Sequence, residues 1–380
     1  MKKTKNSTSK RILVCDLKRE HRAVKGDVSR AVTRVLDSGW YILGREVEAF
    51  EREFARYNGS RYAVGVASGT DALQIALMAR GIGRGDEVIT AVNTAIPTAM
   101  AIAATGARPV FIDVDPDTSL IDIVKLEQAV SRRTKAVIPV HLYGNPCDMR
   151  KIMSIARWHK LSVIEDCAQA QGASISGRKV GTFGAMGAFS FYPTKNLGAY
   201  GDGGMVVTDN AALAKAARLL RNYGQPTRYV CEVEGMNSRL DEIQAAVLRV
   251  KLRRLDRCNR RRRAIVALYG RLLKGISGVR VPPAGSNAER RVHHLFVIRS
   301  AGRDRLKSFL ASYGIETQIH YPVSLHLQKA FAHLGYRRGD FPVAEQFAGE
   351  ILSLPLFPEL TDNEVSRICA LIREWYGHSR

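Results

Sequence analysis

The stretch FSFYPTKNLGAYGDGG, Phe189 to Gly204, decides the reading of this chain. It begins as a short apolar run, turns at Tyr192-Pro193-Thr194-Lys195, and then carries Gly198, Gly201, Gly203 and Gly204. Proline and clustered glycines break regular structure, so Lys195 is expected in a loop just past a strand. A loop lysine is ordinarily solvated. Here a second apolar run, Met205 to Thr208, follows the glycines closely and argues against a free surface loop. Upstream lies VIEDCAQAQGA, Val163 to Ala173, in which Asp166 ends another apolar run.

Working outward, residues 60 to 210 alternate between short apolar runs and helical stretches. Strands are expected at Tyr62–Val66, Glu87–Ala91, Pro109–Asp113, Ala136–His141, Leu161–Ile164, Ala188–Phe191 and Met205–Thr208. Helices are expected at Asp71–Ala79, around Pro97–Thr105, at Ile123–Ser131 and at Met149–His159. Such alternation predicts an α/β fold with a mostly parallel central sheet covered on both faces. Ligands of such sheets bind beyond the carboxyl ends of the strands.

Past residue 212 the pattern changes. A long helical stretch, Leu240 to Leu273, leads to a Pro-Pro loop at Val281–Gly285. A strand at Leu295–Ile298 follows, then a helix at Asp304–Tyr313, and a closing helix at Asp362–Trp375 with Thr361 and Glu364 as a capping box. The expected division is a flexible basic tail at 1–10, a large domain at 11–240, and a smaller α+β C-terminal domain at 241–380.

The 380 residues are 46% hydrophobic and 25% charged, ordinary for a soluble globular protein. No apolar run approaches the ~20 residues that span a bilayer. The apolar stretch near the start, Ile12–Val14, is too short for a signal-peptide core. These features point to the cytoplasm and away from membranes. None of the six cysteines forms a CxxC pair or a zinc-like spacing, so free thiols and no metal are expected. The net charge is +22, with much of it in RVKLRRLDRCNRRRR, Arg249–Arg263. Without a nucleic-acid motif or interleaved aromatics, that run reads as the solvated face of a helix whose apolar stripe is Leu252, Leu255 and Ile265. A positive field would also draw in an acidic small substrate.

Four local features bear on chemistry. ASGTDAL, Ala67–Leu73, reads as a strand end, a turn and a helix start; Ser68, Gly69 and Thr70 suit a phosphate, or simply an N-capped helix. Asp166 at a strand exit needs a cation or donors, which a protonated pyridine nitrogen would supply; a helix N-cap is the other reading. Gln169 could reach the same ligand. Ser190 and Lys195 offer a hydroxyl for a phosphate and an amine for an aldehyde, and a buried lysine becomes nucleophilic. A carboxylate for a pyridinium and a lysine for an aldehyde are what pyridoxal 5'-phosphate (PLP) requires. Finally, Asn237, Ser238 and Arg239 precede a helix, where an arginine either binds an anion or dresses the surface. Among the histidines, none with metal spacing, His320 beside Tyr321 and Pro322 is the best candidate for a substrate contact.

Together the stretches SGWYILGREVEAFE, ASGTDALQIAL, GARPVFIDVD, VHLYGNPCDM, VIEDCAQAQGA, FSFYPTKNLGA, NSRLDEIQAA and IHYP resemble the DegT/DnrJ/EryC1/StrS family of PLP-dependent sugar aminotransferases. The resemblance runs from about Leu36 to Ile372, nearly the whole chain, and implies a fold-type I PLP-dependent transferase. It implies that Lys195 forms the Schiff base with the cofactor and then moves the substrate proton. It implies that Asp166 pairs with the pyridinium nitrogen and that Gln169 lies near the phenolic oxygen. Ser68, Gly69, Thr70 and Ser190 would hold the phosphate. Asn237 would reach the phosphate from a partner subunit, making a homodimer with shared active sites. His320, Tyr321 and Arg239 would meet the substrate.

The implied reaction moves an amino group from L-glutamate to a keto group of a nucleotide-diphosphate keto-deoxyhexose, in amino-sugar biosynthesis. The stretches around Trp40–Gly44 and Asn93–Thr98 look closest to enzymes acting on dTDP-linked 3-keto or 4-keto deoxyhexoses. A branch of sugar dehydratases in the same family carries histidine in place of the lysine, so Lys195 favours transamination. A non-catalytic basic regulator on the same fold is the other alternative. One departure stands out: Ala95 occupies a position where many relatives carry an aromatic that stacks on the cofactor ring.

Overall fold

The computed structural model describes residues 11–283, 285 and 289–377. The tail expected at residues 1–10 lies outside them. Runs rich in Val, Ile and Phe become seven strands: β1 (Tyr62–Val66), β2 (Glu87–Ala91), β3 (Arg108–Ile112), β4 (Thr134–Ile138), β5 (Ser162–Asp166), β6 (Met186–Ser190) and β7 (Gly204–Thr208). They hydrogen-bond in the order β1-β7-β6-β5-β4-β2-β3. Every residue of β2, β5 and β7 is buried, as a sheet covered on both faces requires.

Five neighbouring strands run parallel: β3, β2, β4, β5 and β6. Strand β7 is antiparallel to both β6 and β1. The reason is the connection. β6 and β7 are joined by the Lys195 loop, with no crossover helix, and a strand that returns directly beside its predecessor must run the other way. Phe191 receives the Ala199 N–H and donates to the Gly203 carbonyl, which closes that loop at its base.

Alternation along the strands assigns the two faces. Val64, Ile164, Met186, Ala188 and Val206 pack with Ala72, Leu73 and Ala76 of the helix Gly69–Ala79. On the other face Phe189 and Phe191 meet Phe54 and Phe50 of the helix Arg45–Asn58 edge-on, at 5.0 and 5.3 Å between ring centres. Edge-to-face pairs of this kind add to the burial of their area. The helices Lys25–Ser38 and Arg45–Asn58, and the strand Ile351–Leu354, were not foreseen from the sequence.

The stretch 240–273 is two helices, Glu242–Leu252 and Leu255–Leu273, broken at Arg253–Arg254. No glycine or proline marks the break, and Leu252 and Leu255 on either side of it share the sheet core. Ala246, Val247 and Val250 sit against Val28, Ala31 and Val35 of the helix Lys25–Ser38. Ile265, Tyr269 and Leu273 sit in a separate C-terminal core with Phe296, Ile298, Leu352 and Ile368. Leu255 still belongs with the sheet core, so the packing changes along the second helix. Ile12 also joins the C-terminal core and bridges to Ile315. Thr361 and Glu364 exchange the expected capping-box hydrogen bonds, at 2.8 and 3.2 Å.

The basic run is not a plain solvated face. Its apolar stripe is buried as expected. Several of its arginines, however, are spent inside the molecule. Arg249 pairs with Glu46 and Glu53, and buried Arg262 donates to the carbonyls of His293, His294 and Leu356. Guanidinium forks satisfy several acceptors at once, which makes arginine suited to tying segments together. Among the described residues no helix is long and apolar enough to cross a membrane.

Candidate active site

Lys195 and Asp166 are brought together at the carboxyl ends of the parallel strands. Asp166 is the last residue of β5 and is buried. Its Oδ2 accepts the Thr98 hydroxyl at 2.8 Å and its Oδ1 accepts the Ala168 N–H at 3.1 Å. Thr98 lies in the first turn of the helix Ile96–Ala104, which starts just after β2. Burial raises the Asp166 carboxyl above the usual range, opposed by those two donors and by the charge of Lys195.

Lys195 ends the turn begun at Tyr192, whose carbonyl accepts the Lys195 N–H at 2.8 Å. Gly198 is required there, because a side chain would meet the Pro193 carbonyl at 2.2 Å. Burial lowers the amine from 10.5 to about 8, with Asp166 pulling the other way. The amine makes no side-chain hydrogen bond or salt bridge among the described residues. Two histidines share its surroundings. His320 is pushed down to about 4 and His294 well below its ordinary value, in both cases by burial first and then by the Lys195 charge. Both rings are therefore neutral near pH 7.

The turn before the helix Gly69–Ala79 lies against Ser190. A side chain on Gly69 would come within 2.5 Å of the Ser190 Cβ, and one on Gly204 within 2.2 Å of the Ser68 carbonyl. The Ser68 hydroxyl caps the helix by accepting from Asp71 N at 3.1 Å. The first helix-closing bond is Ala72 N to Ser68 O, so the Gly69 and Thr70 N–H groups stand at the open end of the helix. Ser190 Oγ accepts from Tyr192 N at 3.2 Å, which leaves its own hydrogen to donate. These groups form an anion cradle.

Gln169 is buried with both ends of its amide engaged. Its oxygen accepts from Tyr143 N at 2.7 Å, and its nitrogen donates to the Tyr321 hydroxyl at 3.0 Å. The Tyr143 hydroxyl in turn donates to the His320 carbonyl. His320 Nδ1 lies 2.8 Å from the Ser353 hydroxyl. Gln169 thus joins the sheet unit to the His320–Tyr321 segment. Burial pushes the Tyr321 hydroxyl up to about 12, so it remains protonated.

The Asn237–Arg239 segment is anchored by its middle residue. Ser238 Oγ donates to Asp71 Oδ2 at 2.6 Å and accepts from Ala67 N at 3.0 Å. Asn237 is exposed. Arg239 donates to Asn222 Oδ1 at 3.0 Å and lies over the Tyr223 ring. Ala95 caps the helix Ile96–Ala104 without a side-chain bond and presents no ring to a ligand.

Thr98 and Tyr143 were not singled out from the sequence, and Ser238 was noted only beside Asn237 and Arg239. Only Tyr143 carries a local signal: it precedes Gly144 in a turn where both have positive φ. Behind Asp166, fully buried His141, Glu165 and Cys167 have the spacing of a metal cluster. Glu165, however, accepts N–H groups from Gly181, Phe183 and Gly184, each at 2.7 Å, besides the His141 ring at 3.1 Å. His141 Nδ1 accepts from Cys147 N, so its Nε2 carries the proton toward Glu165. These bonds use the ligating lone pairs and make the cluster a structural clamp.

The donor set fits PLP. Among the described residues Asp166 is a buried carboxylate with no ion-paired cation, Lys195 is a desolvated amine, and the Ser68–Thr70 turn with Ser190 offers donors suited to a phosphate. The comparisons with known proteins agree. Residues 23–373 match the model of the DegT/DnrJ/EryC1/StrS aminotransferase family. A dTDP-3-amino-3,4,6-trideoxy-alpha-D-glucose transaminase of Streptomyces venezuelae is 47% identical, over 96% of each chain. A "pleiotropic regulatory protein" of Geobacillus stearothermophilus is 46% identical, over 96% of this chain and 98% of its own. The crystal structure of S. venezuelae DesV in complex with a ketimine intermediate superposes with a TM-score of 0.95 at 46% identity, over 97% of this chain and 99% of that one. Other solved neighbours carry the cofactor in its PLP or PMP form. The chain belongs to the DegT/DnrJ/EryC1/StrS aminotransferase family.

Proposed function

We propose that this aminotransferase moves an amino group from L-glutamate to the keto carbon of a nucleotide-diphosphate keto-deoxyhexose, with a dTDP-linked 3-keto sugar as the preferred acceptor. The observation that carries the reading is a desolvated Lys195 placed within the electrostatic reach of a buried Asp166 at the mouth of the parallel sheet. The name of the S. venezuelae relative supports the acceptor class.

PLP, when bound, supplies an aldehyde for amines and an electron sink for the bond-breaking step. Asp166 would hold the ring nitrogen in its protonated form, and the Thr98 and Ala168 donors keep that carboxylate charged and aimed. Gly69, Thr70 and Ser190 would hold the phosphate. With its pKa near 8, the Lys195 amine can take a proton from a substrate carbon and return it near neutral pH. Neutral His320 and Tyr321 present hydrogen-bonding groups to a sugar without adding charge.

The active unit is a homodimer in this reading. Tyr192 in the Lys195 loop is exposed, as are Trp40, Tyr41, Tyr223 and Tyr229, the last of them 80% exposed. Aromatic surface of this kind marks a protein interface. A partner covering it would bring the partner's exposed Asn237 to the phosphate cradle. Sedimentation showing a monomer at working concentration would refute this part. The enzyme works in the cytoplasm in the same reading. The regulatory reading draws on the name of the Geobacillus relative and on the positive charge. A complete set of Asp166, Ser190 and Lys195 favours catalysis.

The test is an amine-exchange assay. Purified protein with PLP and L-glutamate is given dTDP-, UDP- and GDP-linked keto sugars, with mass detection of the aminated product. Amination of a dTDP-linked 3-keto sugar that is lost in Lys195→Ala is the expected result; amination of none of the panel overturns the proposal.

A further inference from the structure

A groove of about 1160 Å³ runs between the loop 116–119 and the C-terminal unit. Its walls come from the helix Leu255–Leu273, the stretches 280–283 and 289–299, and the helix Pro342–Glu350. Lys195, Asp166, Ser190 and the Ser68–Thr70 turn do not line it. Tyr143 separates the two places: it lines the groove, while its hydroxyl reaches the His320 carbonyl on the active-site side.

The groove gathers arginines. Arg291 is paired with Glu289 at 3.1 Å and Arg299 with Glu350 at 2.8 Å. Arg263, Arg280 and Arg290 also line it and form no ion pair among the described residues. Arg263 is half-buried, and both its burial and the nearby charges of Arg290 and Arg260 push its pKa down. His293, on the same wall, is pushed down to about 4 by burial and by Arg291, Arg263 and Arg262. Arg280 and Arg290 are exposed, and together with half-buried Arg263 they focus a positive field on whatever enters the groove.

The floor between the arginines is apolar, formed by Val266, Val281, Pro282 and Leu295. A bare phosphate would leave that floor and most of the volume unused. Drug-sized ligands fill pockets of roughly 300–1,000 Å³ that combine an apolar lining with a few placed polar groups. Guanidinium forks match phosphate oxygens in pairs.

We propose that this groove is a second, non-catalytic binding site for a nucleoside diphosphate. The phosphates meet Arg263 and Arg290, and the nucleoside lies on the apolar floor toward Arg280. The ligand's source is either free nucleotide or the nucleotide part of a sugar conjugate. Occupation would relieve the repulsion among the arginines and join the C-terminal unit to the loop 116–119.

Equilibrium dialysis of labelled dTDP against the PLP-loaded protein tests it. The double variant Arg263→Ala/Arg290→Ala is expected to bind one dTDP fewer per chain than the parent, or to bind the second at least tenfold more weakly. The amine-exchange rate and the cofactor absorbance should stay unchanged, which also shows that the variant folds. Arg263→Lys/Arg290→Lys should recover part of the affinity. Equal numbers of dTDP bound, at equal affinity, in parent and double variant would overturn the proposal. So would inorganic pyrophosphate competing as tightly as dTDP, since the apolar floor would then contribute nothing. Comparing dTDP with a dTDP-hexose at the same site identifies the source of the ligand. Because the difference between parent and variant is what counts, the result stands apart from whether dTDP also occupies the active site.

Discussion

The Thr98 hydroxyl donates a 2.8 Å hydrogen bond to the Oδ2 of Asp166, joining the helix after β2 to the end of β5. The bond favours the charged carboxylate in a place where burial favours the neutral acid. Thr98→Val keeps the shape and removes the donor. The Asp166 pKa then rises further, and its hold on a protonated ring nitrogen weakens. A hydrogen bond to a charged group contributes about 1.5–3 kcal/mol, so the rate of half-transamination with glutamate should fall roughly ten- to a hundredfold. Thr98→Ser should retain most of the rate. Stopped-flow measurement of the glutamate half-reaction distinguishes them.

The Lys195 amine has its pKa lowered to about 8. Only the neutral amine attacks an aldehyde. The rate at which cofactor-free protein takes up PLP should therefore rise with pH and level off a little above 8. An ordinary solvated lysine would leave the rate rising toward pH 10. A profile of uptake rate against pH, read from the change in cofactor absorbance, checks the sign and the midpoint together.

Glu165 receives three backbone N–H groups and the His141 ring, all buried. Glu165→Gln places an NH₂ against donors that need an acceptor. Leaving buried donors unpaired costs on the order of 3 kcal/mol in total, and denaturant melting should show a loss of that size. The same clamp holds the turn that carries Tyr143, so affinity for the sugar nucleotide should fall with it. A variant as stable as the parent would contradict the structural reading of this cluster.

Gly69 sits where a Cβ would come within 2.5 Å of the Ser190 Cβ. Gly69→Ala must push the turn away from Ser190 and open the phosphate cradle. Overpacking of this kind costs about 1–3 kcal/mol. The dissociation constant for PLP, measured by fluorescence titration, should rise roughly tenfold or more. Melting of the cofactor-free protein should change much less.

Much of this was legible because strand ends, glycines and catalytic residue types leave local signals. Asp166 ends an apolar run, and Lys195 follows a Tyr-Pro turn; both were readable and both meet where the sheet opens. The antiparallel direction of β7 was not, since an apolar run carries no sign of its direction. The break between Glu242–Leu252 and Leu255–Leu273 was hidden because no glycine or proline marks it and Leu252 and Leu255 keep the apolar stripe continuous across it. Thr98 and Gln169 act through partners distant in sequence. Gln169 was noticed for its closeness to Asp166, yet its bond to Tyr143 depends on the turn after β4 and its bond to Tyr321 on how the C-terminal unit folds back. The arginines of 249–263 looked like surface because their carbonyl and carboxylate partners, at Leu356, Glu46 and Glu53, lie far along the chain.

The central claim is that Lys195 makes this chain an aminotransferase of nucleotide-linked keto sugars. The most direct measurement follows an isotope-labelled amino group from L-glutamate into a dTDP-linked 3-keto-6-deoxyhexose by mass spectrometry, with parent protein and Lys195→Ala side by side. The account predicts a labelled amino sugar from the parent and none from the variant. A parent that yields no labelled sugar, or a variant that yields as much as the parent, would contradict it.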